Sequence, residues 1–483
     1  NNIIMKIKYL LLSVFMLALW SCETDIVNPD EVYPDPYLEI DSGDTDFSTY
    51  VSIGASITAG TTDASTFLLG QVNSYPNILA NVMSMAGGGE FTQPYVNDNV
   101  GGLTLFGNVI AGPRLFFNGA GPAPVDGTPT TEVSNIMPGP YNNLGVPGMQ
   151  AIHALAPGYG SLDALLAGQA NPYFVRMASS PGTSILQDAL LQSPTFVSVW
   201  LGGNDALGFA TSGGTGTLTP PAEFDFAIGS TVGALAQAGA DGILINVPDV
   251  TSIAFLNTVP YNAVPLDQAT ADMLNGAFAV YNGGLQLVQM MGMISAEEAA
   301  ARTIVFAAGQ NPVTIDDSDL TDLSVLGLPN LRMATAADKI ALTASTVIGT
   351  TVGGNPMQIN GVSVPLADNL VLTASEVMEA QAAISSYNAT ISAMASQYGW
   401  AHWDAHAVLN QIVTSGYPMD TFNLTADLVF GGLFSLDGVH PTARGSAMIA
   451  KLIMAEIDAT YGSNLSDAGL DIGDYPTNFP NGL

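Results

Sequence analysis

Three short apolar runs, each cut off by glycine or proline, constrain the fold of this chain more than any other feature. They are Tyr50-Val-Ser-Ile-Gly54, Thr195-Phe-Val-Ser-Val-Trp-Leu201 ahead of a Gly-Gly pair, and Asp241-Gly-Ile-Leu-Ile-Asn-Val247 ahead of Pro248. Trp400-Ala-His-Trp-Asp404 is a fourth and weaker one. Runs this short and this continuously apolar suit strands buried on both faces. Helical patterns separate them. Ser74-Tyr75-Pro76 opens one helix, with proline tolerated in its first turn. Thr373-Ala-Ser-Glu376 is a capping box, followed at spacings of three and four by Val377, Ala380, Ile384, Tyr387, Ile391, Met394 and Tyr398, and Gly399 stops that helix. Strand–helix alternation predicts an α/β doubly wound, three-layer fold with a mostly parallel sheet, whose sites collect at the carboxyl ends of strands.

Two segments exceed a minimal domain of that kind. Residues 85–140 are rich in Gly, Pro, Asn and Phe, and residues 260–365 mix glycine-rich turns with helical pieces such as Ser295-Ala-Glu-Glu-Ala-Ala-Ala301. Both read as insertions in one domain spanning 47–462, with a C-terminal tail at 463–483. The match of ADKIALTAS at 337–345 with ADNLVLTAS at 367–375 is a single one, too little for a solenoid, and predicts two similar strand-to-helix entries.

The N-terminal region reads differently. Lys6 and Lys8 precede an apolar run from Tyr9 to Trp20, interrupted only by Ser13, which is too short to span a bilayer and fits a signal peptide. It ends at Leu19-Trp20-Ser21-Cys22, and Cys22 is the only cysteine. This resembles the lipobox of bacterial lipoproteins, which implies acylation of Cys22 and an exported, membrane-anchored protein at the outer membrane or cell surface. Residues 23–46 hold nine acidic residues, three prolines and no base, the composition of a self-repelling disordered tether. The whole chain has 42 Asp plus Glu against 9 Lys plus Arg, a formal charge of -33. Such a polyanion repels nucleic acid and anionic headgroups, so nucleic acid is excluded as a partner and membrane contact is expected only through the lipid anchor.

Ser56, in Gly54-Ala-Ser-Ile-Thr-Ala-Gly60, follows the first strand and is either a nucleophile or a small residue in a tight turn. A nucleophile needs a base, and the base needs an orienting group. Of four histidines, His153 lies in a short helical-looking piece. His402 and His406 flank the weak strand, where alternation would put them on one face, but no third metal ligand is evident. His440 sits in Ser435-Leu-Asp-Gly-Val-His-Pro441, before a helix expected from about Thr442 to Tyr461. The Asp437-x-x-His440 spacing lets one loop set a carboxylate against the imidazole, with Gly438 permitting the bend. Asn204, in Leu201-Gly-Gly-Asn-Asp205, and the glycine-rich turn Asn143-Leu-Gly-Val-Pro-Gly148 could supply donors to an oxyanion.

The blocks GASITAG, NLGVPG, LGGND and DGVHP, in that order, resemble those of the SGNH or GDSL hydrolase family. The resemblance implies a flavodoxin-like sheet, Ser56 as nucleophile, and His440 as base with Asp437 as its partner. It also implies an oxyanion hole formed by the Ser56 amide, Gly148 and Asn204. Gly148 is chosen over Gly145 because the family's glycine closes its block. Ala55 departs from the family's aspartate. The expected activity is hydrolysis of small-molecule or lipid-like carboxylic esters through an acyl-enzyme, with no cofactor and no metal. Phe106, Phe116 and Phe117 either line an acyl groove or pack the first insertion. Two further readings use the same chain: a surface lipoprotein binding a ligand through its insertions with a vestigial site, and a carbohydrate acetylesterase or acyltransferase.

Overall fold

The computed structural model describes residues 39–483. Each apolar run becomes a strand of one sheet, made of β1 (Tyr50–Gly54), β2 (Asn143–Gly145), β3 (Phe196–Trp200), β4 (Asp241–Ile245) and β5 (Ala401–Trp403). Their order is β5-β4-β3-β1-β2, and every pairing is parallel. This is the doubly wound 2-1-3-4-5 order, and the chain reverses direction across the sheet between β1 and β3. The continuous apolar character has its cause here: β1 and β3 are buried at every position because helices cover both faces. β2 has no counterpart among the sequence-predicted strands. Its three residues are too few to show a pattern, and it exists because Ser52, Ile53 and Gly54 pair with it.

The covering helices are α1 (Ser56–Ala59), α2 (Tyr75–Met83), α3 (Gly203–Thr211), α4 (Pro221–Gln237), α5 (Ala374–Tyr398), α6 (Ala405–Ser415) and α7 (Ala443–Tyr461). α7 packs on α2 and β5, while α5 packs on α3, α4 and β4. The capping box of α5 forms as its sequence predicts, Ala380, Ile384, Tyr387 and Ile391 face inward, and Gly399 ends the helix at φ 67°. α7 begins one residue after its N-cap Thr442, whose hydroxyl accepts from Gly445 N–H at 3.0 Å.

Four expectations need correction. Residues 41–46 are not free tether, because Asp44 N–H donates to the Tyr461 carbonyl at 2.7 Å and Thr45 Oγ1 to Asp241 at 2.9 Å. The compact unit runs from Ile40 to Leu483. Nor does 463–483 behave as a tail: Leu465, Ile472 and Phe479 are buried, and the buried Arg114 guanidinium donates to the carbonyls of Phe479 and Pro480. Thirdly, His406 lies on α6 beyond the N-cap Asp404, so strand alternation does not relate it to His402. Finally, the two copies of the nine-residue match pair with each other, Lys339 opposite Leu372 and Ile340 opposite Val371. Only the second enters a long helix; the first enters a 3₁₀ turn at Leu342–Thr346.

The insertions have their own structure. The first forms two hairpins, Leu103–Leu105 with Asn108–Ala111 and Leu115–Phe117 with Pro122–Pro124. The second builds a separate apolar cluster including Val264, Phe278, Phe306 and Ile315. The leader at 1–22, Cys22 and the tether up to residue 38 lie outside the described residues.

Candidate active site

Ser56 is the first residue of α1, immediately after β1 and Ala55. A buried chain of hydroxyls fixes this short helix. Tyr50 OH and Ser198 Oγ lie 2.8 Å apart, Ser198 Oγ donates to Ser52 Oγ at 2.8 Å, and Tyr75 OH meets Thr58 Oγ1 at 3.1 Å. The chain arises from register, since Ser52 and Ser198 are opposite each other on β1 and β3. Burial pushes the Tyr50 and Tyr75 hydroxyls up from their ordinary values, so both stay neutral donors. Gly145 lets α1 approach β2, because a Cβ there would lie 2.3 Å from Ala59 N.

His440 arrives from the other end of the chain, 384 residues away, with Nε2 2.9 Å from Ser56 Oγ. Its Nδ1 lies 2.8 Å from Asp437 Oδ2. The loop that holds the pair is a tight one: Ser435 N–H donates to the His440 carbonyl at 2.8 Å, and Asp437 Oδ1 accepts from the amides of Val439 and His440. Gly438 stands at φ 73°, where a Cβ would meet Phe255 N at 2.7 Å. Burial alone would raise the Asp437 carboxyl, but the His440 charge and the hydrogen bonds from His440 and Val439 outweigh it and hold the group at about 2. Asp437 is therefore a carboxylate at neutral pH, and it fixes the imidazole with Nδ1 protonated and Nε2 facing the serine.

One contributor to the site carries no recognisable mark in the sequence. Asp63 and Ala64 form a turn with φ 51° and 65°. Ala64 N–H donates to Asp437 Oδ2 at 2.6 Å, Asp63 N–H to Ser435 Oγ at 2.9 Å, and Asp63 Oδ1 accepts from Leu436 N–H at 3.1 Å. The turn thus clamps the His440 loop from the Ser56 side. A left-handed alanine costs about 1–2 kcal/mol, which the amide bond to a carboxylate offsets. Burial pushes Asp63 up to about 7, with the Asp437 charge adding to it against the Leu436 amide. In the sequence, Asp63 is simply a lone aspartate shortly after the first block.

Asn204 is the second residue of α3, at the carboxyl end of β3. Its Nδ2 donates one hydrogen to the Met149 carbonyl at 2.9 Å, which leaves the second for a ligand. Gly202 turns the chain into α3 at φ 109°, and its Cβ would meet Val247 Cγ2 at 2.5 Å. Asp205, wholly buried, accepts from Ala151 N–H at 3.0 Å and so ties this loop to the one carrying Gly148. Of the two candidate glycines, Gly145 N–H is engaged with Asn143 Oδ1 at 2.9 Å and lies within β2. Gly148, at φ 81°, stands in the open turn beyond, next to the Pro147 carbonyl that Asn171 holds. A cavity of about 70 Å³ opens over Ser56, His440 and Asn204, and Gly148 does not line it.

His153 is not part of the site: its Nδ1 accepts from Gln150 N–H at 3.0 Å and its ring stacks on Tyr159. Neither Phe106, Phe116 nor Phe117 lines the cavity at the serine; Phe117 packs edge-on against Phe430.

No family model and no curated protein matches the chain. It is similar to solved structures of an acetylxylan esterase from Geobacillus stearothermophilus (11% identity, 87% of this chain and 96% of that one, TM-score 0.30). An alpha/beta hydrolase enzyme from the metagenome of Lake Arreo, Spain, gives 11%, 86%, 97% and 0.32 in the same measures. An extracellular lipase from Streptomyces rimosus gives 12%, 85%, 98% and 0.30.

Proposed function

We propose that this chain is a serine hydrolase of the SGNH type that cleaves carboxylic esters through an acyl-enzyme. The observation that carries the reading is the relay Ser56–His440–Asp437, with contacts of 2.9 Å and 2.8 Å. Ser56 Oγ attacks the ester carbonyl carbon as its proton passes to His440 Nε2, and Asp437 stabilises the imidazolium. The negative charge on the carbonyl oxygen is met by the free hydrogen of Asn204 Nδ2 and the Ser56 amide. Collapse breaks the ester C–O bond, and the alkoxide leaves as alcohol with the proton from His440. Water then gives its proton to His440 and attacks the acyl carbon, and the carboxylic acid leaves as Ser56 recovers its proton.

In the vestigial reading, the ligand-binding insertions matter and the relay does not. The clamp on Asp437 from Ala64, and the one hydrogen left free on Asn204, favour a working site over that reading. Export and anchoring through Cys22 belong to the same proposal and rest on the leader composition. The test is hydrolysis of p-nitrophenyl butyrate and labelling by a fluorophosphonate, with Ser56→Ala as control. Turnover and labelling that both vanish in Ser56→Ala are expected; turnover that survives the substitution refutes the assignment of Ser56.

A further inference from the structure

The cavity over Ser56 does not end at the serine. A second cavity of about 80 Å³, several times the space one water needs, lies against it. The two share five wall residues, Ile57, Trp200, Pro248, Ile253 and Val439. Ile57 and Val439 are the chain neighbours of the nucleophile and the base, so this wall flanks the position of an acyl group on Ser56. Every residue lining the second cavity is apolar. Ile57, Pro248 and Val439 on the wall beside the serine are half-buried, as is Val408 on α6, whereas Ile412 is 2% and Met448 1% exposed. The chamber therefore communicates with the Ser56 side past Ile57, Pro248 and Val439, and its deepest wall is formed by α6 and α7.

Beyond the indole N–H groups of its tryptophans, of which Trp403's has no partner, water in such a chamber would find little to bond to, so an apolar chain gains by replacing it. A sugar ring or other hydroxyl-rich group would be stripped of water with nothing to accept its hydrogens. We infer that the second cavity is the acyl subsite of this hydrolase, taking an unbranched aliphatic chain longer than acetyl. The inference rests on the proposed ester hydrolysis for its orientation and on the lining for its chemistry. The determinants of chain length are then Ala405 at the start of α6, Ile412 further along α6, and Met448 on α7. The aromatics of the first insertion have no part in it.

The experiment compares p-nitrophenyl acetate, butyrate, hexanoate, octanoate and laurate on the full chain, on Ala405→Leu, which fills the chamber, and on Met448→Val, which lengthens it. Each buried methylene favours binding of the transition state about four-fold, so hexanoate should exceed acetate in kcat/KM by at least ten-fold. Ala405→Leu should cut the hexanoate-to-acetate ratio ten-fold or more, and Met448→Val should move the optimum to a longer chain. A second readout needs no turnover: octanoate titrated into Ser56→Ala, followed by the fluorescence of Trp200 and Trp403, which both line the chamber. A response that Ala405→Leu abolishes in that background supports the subsite even if no ester is cleaved, an outcome that would sink the hydrolase reading alone. Ester cleavage with a flat chain-length profile, or with a ratio that neither variant moves while melting temperatures stay put, overturns the subsite and leaves the hydrolase reading standing.

Discussion

Replacing Asp63 by asparagine should make this protein more stable at pH 8 and leave it unchanged near pH 4. The Asp63 carboxyl is 1% exposed, and burial followed by the Asp437 charge lifts it from an ordinary 3.8 to about 7. Between those values the folded protein binds a proton that the unfolded chain has released, so stability falls as pH rises through the window. The difference of 3.2 pH units, at about 1.4 kcal/mol each, gives a loss of up to about 4 kcal/mol by pH 8. Asparagine keeps the acceptor for Leu436 N–H, tolerates the left-handed φ of 51° and carries no charge, so its curve lacks this slope. Asp437 adds nothing in the same window. Its carboxyl is held at about 2, so the stability it brings is complete above 3.8 and is lost only as pH falls toward 2. The assay is urea unfolding of both proteins at pH 4, 5, 6, 7 and 8, read as the difference in unfolding free energy at each pH. A gap that opens with pH is expected. Parallel curves, or a variant equally destabilised at every pH, would refute the argument that Asp63 is protonated in the folded site.

Asn204→Ala should lower kcat by about 10²–10³-fold with little change in KM, because the amide acts on charge that develops in the transition state; steady-state kinetics on butyrate checks it, and a pure KM effect would remove Asn204 from the oxyanion hole. Asp437→Asn should cost about 10⁴ in kcat by turning an N–H toward His440 Nδ1 and forcing the wrong tautomer, with fluorophosphonate labelling slowed in parallel. Gly202→Ala places a Cβ 2.5 Å from Val247 Cγ2 at φ 109°, so we expect about 2–4 kcal/mol of destabilisation by urea unfolding.

Several parts of this molecule are written in short stretches of chain. A strand buried on both faces must be apolar along its length and must stop where glycine or proline breaks it, which is why β1, β3 and β4 are legible. Capping at Thr373 and Thr442 is local hydrogen bonding within three residues, so α5 and α7 are legible at their starts. Asp437 and His440 belong to one turn, so their pairing follows from spacing alone. What required the tertiary structure is whatever depends on segments distant in sequence. β2 is three residues long and is a strand only because β1 lies beside it. An apolar groove lined by the first insertion's phenylalanines is absent at the serine; the chamber there is assembled from α1, β3, β5, α6, α7 and the loops between them, whose lining residues look like ordinary core in any one segment. The Asp63–Ala64 clamp crosses 373 residues to reach Asp437, and nothing in its own neighbourhood marks it. Sequence by itself determined the strands, the caps and the chemistry of each block, because those are local. Folding alone decided the 2.9 Å between Ser56 and His440, the clamp and the chamber, because packing of remote surfaces sets them.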